Sequence, residues 1–247
     1  MTVENENDLD SLKRIGKIVA LTLREMKKSV RPGITTAELD EIGNQFLQKH
    51  GARSAPKLTY NFPGATCISV NDEAAHGIPG KRVVRPGDLV NIDVSAELDG
   101  YFADTAMTVL VPPISALKHK LCNCTKLARK KAIGSIRAGK PINSIGKIIE
   151  QTAHHYGFNV IPDLPSHGVG RSLHEEPTIP GFYMPSATGK FTEGLVITVE
   201  PFLSTGSGRI FASNDGWTLK SVDGGLSAQY EHTIVVTRGY PIIITQA

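Results

Sequence analysis

Disulfide chemistry has little to work with in this chain, which carries three cysteines among 247 residues, an odd number that supports no disulfide framework. A cytoplasmic location follows as the expectation. No apolar run approaches the ~20 residues needed to span a bilayer, so no membrane partner is expected. The first ten residues, MTVENENDLD, are acidic and polar, the opposite of a secretory leader. Linkers and low-complexity stretches are also missing, and a single domain over residues 1–247 is expected. Excess charge is small, at +3. Basic residues do gather at Lys126, Arg129, Lys130, Lys131 and Arg137 on a predicted helix. A solvated helix face is the plain reading, and a transient contact with nucleic acid such as ribosomal RNA is the alternative. DNA is not expected as a partner, and monomer is the simplest state.

What is present has an internal rhythm. Leu9, Leu12, Ile15, Val19, Leu23 and Met26 recur at helical spacing. Arg31-Pro32-Gly33 then breaks the chain, and Thr35 or Thr36 can cap a second helix that carries Leu39, Ile42 and Phe46 and stops at His50-Gly51. The same grammar returns after Gly139, with Ile145, Ile148 and a stop at Tyr156-Gly157. Gly33 to Gly139, Leu39 to Ile145, Ile42 to Ile148 and Gly51 to Gly157 all differ by 106. Each helix pair is followed by a strand-like run that ends in an acid six residues after a glycine, Asp93 after Gly87 and Glu200 after Gly194. Two related halves, each delivering a carboxylate, are the expectation. Further strands are predicted at 88–97, 101–111 and 229–237, the first two joined by a turn at Leu98-Asp99-Gly100. The class is therefore α+β.

The acids demand a partner. Asp93 lies in the apolar run Leu89-Val90-Asn91-Ile92-Asp93-Val94, Glu200 ends a second such run, and Glu231 interrupts a third. Asp104 can face Asp93 from the neighbouring strand. Buried carboxylates without countercharge are costly and tend to take up protons, and no lysine or arginine lies within these strands. A pair of divalent cations would satisfy all four, as in the recurring hydrolytic sites that activate water between two metals. Each acid alone is more simply a surface-facing strand residue; together they favour metal.

Three histidines are placed to contribute. His167 and His174 flank the expected glycine-rich turn Gly168-Val169-Gly170, and His76 precedes Gly77 in a loop. His50, His119, His154 and His155 fall on predicted helices and read as solvent-facing, while His232 alternates to the face opposite Glu231. Oxygen ligands with one imidazole suit cobalt, manganese, iron, zinc or nickel without choosing among them. Cys122 and Cys124 form a C-x-C with no further partner nearby, which argues against a zinc site.

The segments NDEAAHGIP, NIDVSAELDGYFADT, SHGVGRSLHEEP, VITVEP and QYEHTIVV, in this order and spacing over nearly the whole chain, resemble the type I methionine aminopeptidases. These share the pita-bread fold with prolidase, aminopeptidase P and creatinase. The resemblance implies a pseudo-twofold domain with a curved antiparallel sheet flanked by helices. It implies two divalent metals, bridged by Asp93 and Glu231, with Asp104 on one and His167 and Glu200 on the other. A hydroxide between the metals would attack the scissile carbonyl, and Glu200 would also pass a proton toward the leaving amine. His174 would bond the carbonyl oxygen, and His76 the scissile amide nitrogen. Tyr60, Phe62, Cys67, His76 and Trp217 would line a methionine pocket, although a lone tryptophan and a small buried cysteine are equally ordinary core residues. Leu173 stands where many relatives carry an aromatic residue, and the Tyr60–Phe62 stretch is one residue shorter.

The implied activity is removal of the initiator methionine from nascent polypeptides, with a small second residue preferred. The spacing leaves no room for the N-terminal domain of typical prolidases or for the helical insertion of type II enzymes. A prolidase-like Xaa-Pro peptidase shares the metal ligands and is the second reading. A pita-bread protein that binds partners without catalysis is the third, and retention of all five ligands speaks against it.

Overall fold

The first expected helix forms as α1 (Glu6–Ser29), started by Asn5, whose side chain accepts the Asp8 N–H. Leu12, Ile15, Val19, Leu23 and Met26 are its buried stripe, each contributing roughly 1.5–3 kcal/mol relative to an exposed side chain. A reciprocal capping box between Thr35 and Glu38 starts α2 (Thr36–Lys49). The first half continues with β1 (Arg53–Ser54), α3 (Ala55–Tyr60), β2 (Cys67–Val70), β3 (Glu73–Ala75), β4 (Leu89–Leu98) and β5 (Tyr101–Leu110). The second opens with α4 (Ala116–Ser135), α5 (Asn143–His155), β6 (Asn159–Val160), β7 (Ser166–Gly168) and β8 (Glu175–Ile179). It closes with β9 (Val196–Val199), β10 (Phe202–Ser204), β11 (Ile210–Ala212), β12 (Leu219–Ser221), β13 (Ser227–Gln229), β14 (His232–Val235) and β15 (Ile242–Ile243). This architecture is a computed structural model and describes residues 1–246.

Every strand pairing among the described residues is antiparallel. One sheet runs β1-β4-β2 with β5 on the other side of β4, and a five-stranded sheet runs β15-β14-β9-β7-β8. One apolar cluster joins α1 and α2 to the first sheet, and a second joins α4 and α5 to the other. No helix among the described residues is long and apolar enough to cross a membrane.

The internal repeat is structural. Gly33 and Gly139 have φ of 94° and 85°, Gly51 and Gly157 of 73° and 76°, and Gly87 and Gly194 of 88° and 82°. Hydrogen bonds repeat with them. Gly33 N–H donates to Val84 at 2.9 Å and Gly139 N–H to Phe191 at 2.7 Å; Thr36 N–H donates to Arg82 at 2.9 Å and Ile142 N–H to Gly189 at 2.8 Å. Both halves thus enter their second helix through one backbone device, as the offset of 106 predicts.

Two expectations change. The β-prone run at 229–237 is not one strand, because β13 ends at Gln229 and β14 begins at His232. Between them the chain leaves the partner of β13, β10, for the partner of β14, β9. Threonine hydroxyls stitch this crossing to β5: Thr108 donates to the Gln229 carbonyl at 3.1 Å, Thr105 to Glu231 at 3.0 Å and Thr233 to Asp104 at 2.7 Å. The Glu231 N–H donates to Ala106 at 2.9 Å. Likewise, His167-Gly168 is strand, the end of β7, rather than part of a turn.

Candidate metal centre

Where the two halves meet, their acids converge. Asp93 pairs with Ala106 across β4 and β5, while Asp104 pairs with Ser95. The two aspartates are therefore diagonal neighbours, one ladder step from directly opposite as first expected, but on the same face. His167 comes from β7, Glu200 follows β9, and Glu231 sits at the crossing between β13 and β14. Ligand atoms of Asp104, His167 and Glu231 lie within 4.8 Å of one another. The Gln229 amide joins the rest, its Nε2 at 3.4 Å from Asp93, 3.2 Å from Glu200 and 3.4 Å from Glu231.

This concentration of acids is electrostatically unfavourable by itself. Burial pushes the Asp93 carboxyl up to about 6 and the Glu200 carboxyl up to about 8. Burial, and then the neighbouring acids, hold Asp104 and Glu231 well above the usual carboxylate range. One cation does approach from outside the strands: the Arg129 guanidinium donates to the Glu231 carbonyl at 3.2 Å. Arg129 is accordingly turned inward from α4, while Lys126, Lys130 and Lys131 form the solvated face. A single guanidinium does not neutralise four carboxylates. Among the described residues, Asp104 Oδ1 and Glu231 Oε1 are also buried without a hydrogen-bond partner. Unpaired buried acceptors beside crowded acids fit divalent cations.

The imidazole is prepared for the same task. His167 Nδ1 lies 2.8 Å from the Gly168 carbonyl, which can only accept, so the ring hydrogen sits on Nδ1. Nε2 is left with its lone pair, 3.3 Å from Glu200 Oε1. Burial depresses the ring to about 3, so it stays neutral. A neutral imidazole with its other nitrogen pinned to a carbonyl is held in the one tautomer that could ligate a metal. Thr198 donates to Glu200 at 2.7 Å and orients that carboxylate.

A cavity of about 710 Å³ opens onto these groups. It is lined by Asp93, Asp104, His167 and Glu200, whereas Glu231 is fully buried and not part of its wall. His76, His174 and the expected pocket residues Tyr60, Phe62, Cys67 and Trp217 line it too. Phe62 and Trp217 meet edge to face at 5.2 Å, which gives the slot a stiff aromatic end. Leu173 forms part of the wall, as its departure from an aromatic residue suggested. His76 is held at the mouth by close packing after it: a Cβ on Gly77 would lie 2.2 Å from the Ile68 carbonyl oxygen. The His174 ring lies 4.1 Å from that of His167, the two planes tilted by 46°, and its Nδ1 lies 2.6 Å from the Tyr60 hydroxyl.

Sequence reasoning missed Gln229, Thr198 and Arg129 beside the acids, and Leu164 and Phe202 in the cavity wall. Only Phe202, next but one after Glu200, carried a local signal. His50, His119, His154 and His155 are exposed as expected. His232 bonds Thr245 at 2.9 Å, away from the acids. Cys122 and Cys124 are free, buried thiols.

The crowded acids predict a pH dependence. Unfolded, Glu200 ionises near 4.3; folded, it holds its proton to about 8. A raised acid stabilises the fold below its unfolded value, and that stability is lost as pH rises through the folded value. Between pH 5 and 6.5, His167 and His232, both depressed to about 3, act in the opposite sense. Metal-stripped protein should therefore lose stability from about pH 7 to about 8.5, where the histidines no longer contribute. Denaturant unfolding of stripped protein at three pH values in that window checks this. A flat or rising stability contradicts it.

Comparisons with known proteins agree with this geometry. The profile of Metallopeptidase family M24 matches residues 10–238. The chain is 48% identical to "Methionine aminopeptidase 2" of Bacillus subtilis over all of both chains. It is similar in structure to a methionine aminopeptidase from Thermotoga maritima, with TM-score 0.96 and 35% identity over all of both chains. A prolidase from Pyrococcus furiosus matches with TM-score 0.81 at 19% identity, covering all of this chain and 66% of that one, a likeness of fold.

Proposed function

The chain belongs to metallopeptidase family M24, and from that premise we propose that it removes N-terminal methionine from nascent polypeptides, preferring a small second residue. The observation that carries this reading is one cavity in which the buried acids adjoin an apolar, aromatic-ended slot. The full-length relative at 48% identity supports it further. The prolidase reading is not favoured, since the prolidase likeness is one of fold.

Two divalent cations would be held by Asp93, Asp104, His167, Glu200 and Glu231. When bound, they activate water and polarise the scissile carbonyl. The protein does the rest. Phe62, Cys67 and Trp217 enclose the methionine side chain, and the wall at His76 and Tyr60 crowds the second residue. With the Tyr60 hydroxyl donating to Nδ1, His174 presents Nε2–H to the carbonyl oxygen, where negative charge develops. His76 bonds the scissile nitrogen and positions the leaving amine. Glu200, held by Thr198, passes a proton to that amine. Nascent termini make the cytoplasm the working compartment.

Hydrolysis of Met-Ala-Ser and of Ala-Pro by metal-reconstituted protein (Mn²⁺ or Co²⁺) tests the reading. Release of methionine from the first peptide alone is expected. Turnover of the proline peptide alone would transfer the protein to the prolidases, and inactivity with intact folding would favour a binding role.

A further inference from the structure

His174 stands at the end of the loop that joins β7 to β8, residues 169–174. The loop is closed on itself. One oxygen of Glu175 accepts the Arg171 N–H at 2.6 Å and the Ser172 N–H at 2.7 Å, and Gly170 N–H donates to the Ser172 carbonyl at 3.1 Å. A constraint on residue 171 is therefore passed to residue 174. The base of the loop is tied to β5, where Phe102 N–H donates to the Gly170 carbonyl at 2.8 Å.

Arg171 carries a second tie to the same strand. Its Nη2 donates to Asp8 at 2.9 Å and to the Tyr101 hydroxyl at 2.8 Å, and that hydroxyl donates to the same Asp8 oxygen at 2.8 Å. The guanidinium lies over the Tyr101 ring, 3.8 Å from its centroid. Asp8 and Tyr101 are buried, whereas the Arg171 side chain is 51% exposed. An ion pair with one end in water adds little to stability. Without it, Asp8 still accepts the Tyr101 hydroxyl and the Glu4 N–H at 3.1 Å. What the contact supplies is direction. Tyr101 opens β5 and Asp104 follows three residues later, so strand alternation puts their side chains on opposite faces. Asp8, Tyr101 and Arg171 are also no part of the cavity wall. They nonetheless hang the His174 loop on the strand that carries Asp104.

We propose that Arg171 is a positioning residue for His174: clamped by Asp8 and Tyr101, it sets where the imidazole stands relative to Asp104. This rests on the aminopeptidase reading above, in which His174 bonds the carbonyl oxygen as charge develops there. A displaced ring loses that bond in the transition state while the methionine side chain still binds, so the loss falls on kcat. A misplacement of about 1 Å costs up to roughly 10²-fold.

The test uses Arg171→Met and Tyr101→Phe, each alone and each combined with His174→Ala, all metal-loaded. Turnover of Met-Ala-Ser, metal content and the NMR signal of the His174 ring, assigned by its disappearance in His174→Ala, are measured. Arg171→Met should keep its metal, lose roughly 10-fold in kcat with KM little changed, and shift or broaden the ring signal. Tyr101→Phe keeps the ring beneath the guanidinium and should lose less. Within His174→Ala, neither change should cost anything further, because no ring is left to misplace. A merely structural role would give losses that multiply. Unchanged turnover, loss of metal, or the same loss with and without His174 would overturn the proposal. If Arg171→Met fails to fold, Tyr101→Phe decides by the same cycle. Should every form, native included, ignore Met-Ala-Ser, the aminopeptidase reading fails and the ring signal decides alone. A moved signal in Arg171→Met then upholds the clamp, and an unmoved one refutes it.

Discussion

Glu231→Ala is expected to lower kcat/KM on Met-Ala-Ser by at least about 10³-fold, which corresponds to roughly 4 kcal/mol of transition-state stabilisation. Metal content should fall with it. Glu231 is buried at the crossing between β13 and β14 and is one of the five proposed ligands, with no other carboxylate placed to take over its part. Asp104→Ala should behave alike. A charge-neutral swap separates binding from folding. Glu231→Gln keeps the volume but removes a carboxylate that burial, and then the neighbouring acids, hold well above its ordinary value. The metal-stripped variant should therefore melt higher than metal-stripped wild type at pH 8, by about 2–4 °C per kcal/mol relieved, while added Mn²⁺ should stabilise it less. Calorimetry with and without metal reads both. A stripped variant that melts lower than wild type would mean that Glu231 serves packing rather than metal.

His174→Ala should separate chemistry from metal binding. The ring lies 4.1 Å from His167 but is given no metal in this account, so metal content should match wild type while kcat falls about 10²-fold. Tyr60→Phe removes the hydroxyl 2.6 Å from Nδ1 and should give a smaller loss in the same direction. Metal analysis and steady-state kinetics on the same preparations decide. Wild-type turnover in His174→Ala would remove this histidine from the mechanism, and loss of metal would reassign it as a ligand.

Much of the fold was legible because its repeat is written in backbone needs. Left-handed glycines at matched offsets and acids six residues after a glycine are local features, and local features survive in sequence. The acids were legible as a set because burial without countercharge is a contradiction that one ligand class resolves. What escaped was tertiary. The diagonal register of Asp93 and Asp104 depends on where the Asp99-Gly100 turn falls, with Asp99 itself at φ 52°. The break at Tyr230–Glu231 depends on the chain changing partners between β10 and β9, which no propensity at 229–237 reports. Arg129 reads as one of five basic residues on a helix until α4 is docked and its side chain turns inward. Gln229 carries no charge to draw notice, yet its amide reaches three of the acids.

Asp93, Asp104, His167, Glu200 and Glu231 are proposed to hold two metals together. Anomalous scattering from crystals grown with Mn²⁺ tests it most directly. Two peaks about 3.5–4 Å apart among these five side chains are predicted. No peak there, or peaks only at other side chains, would contradict the account.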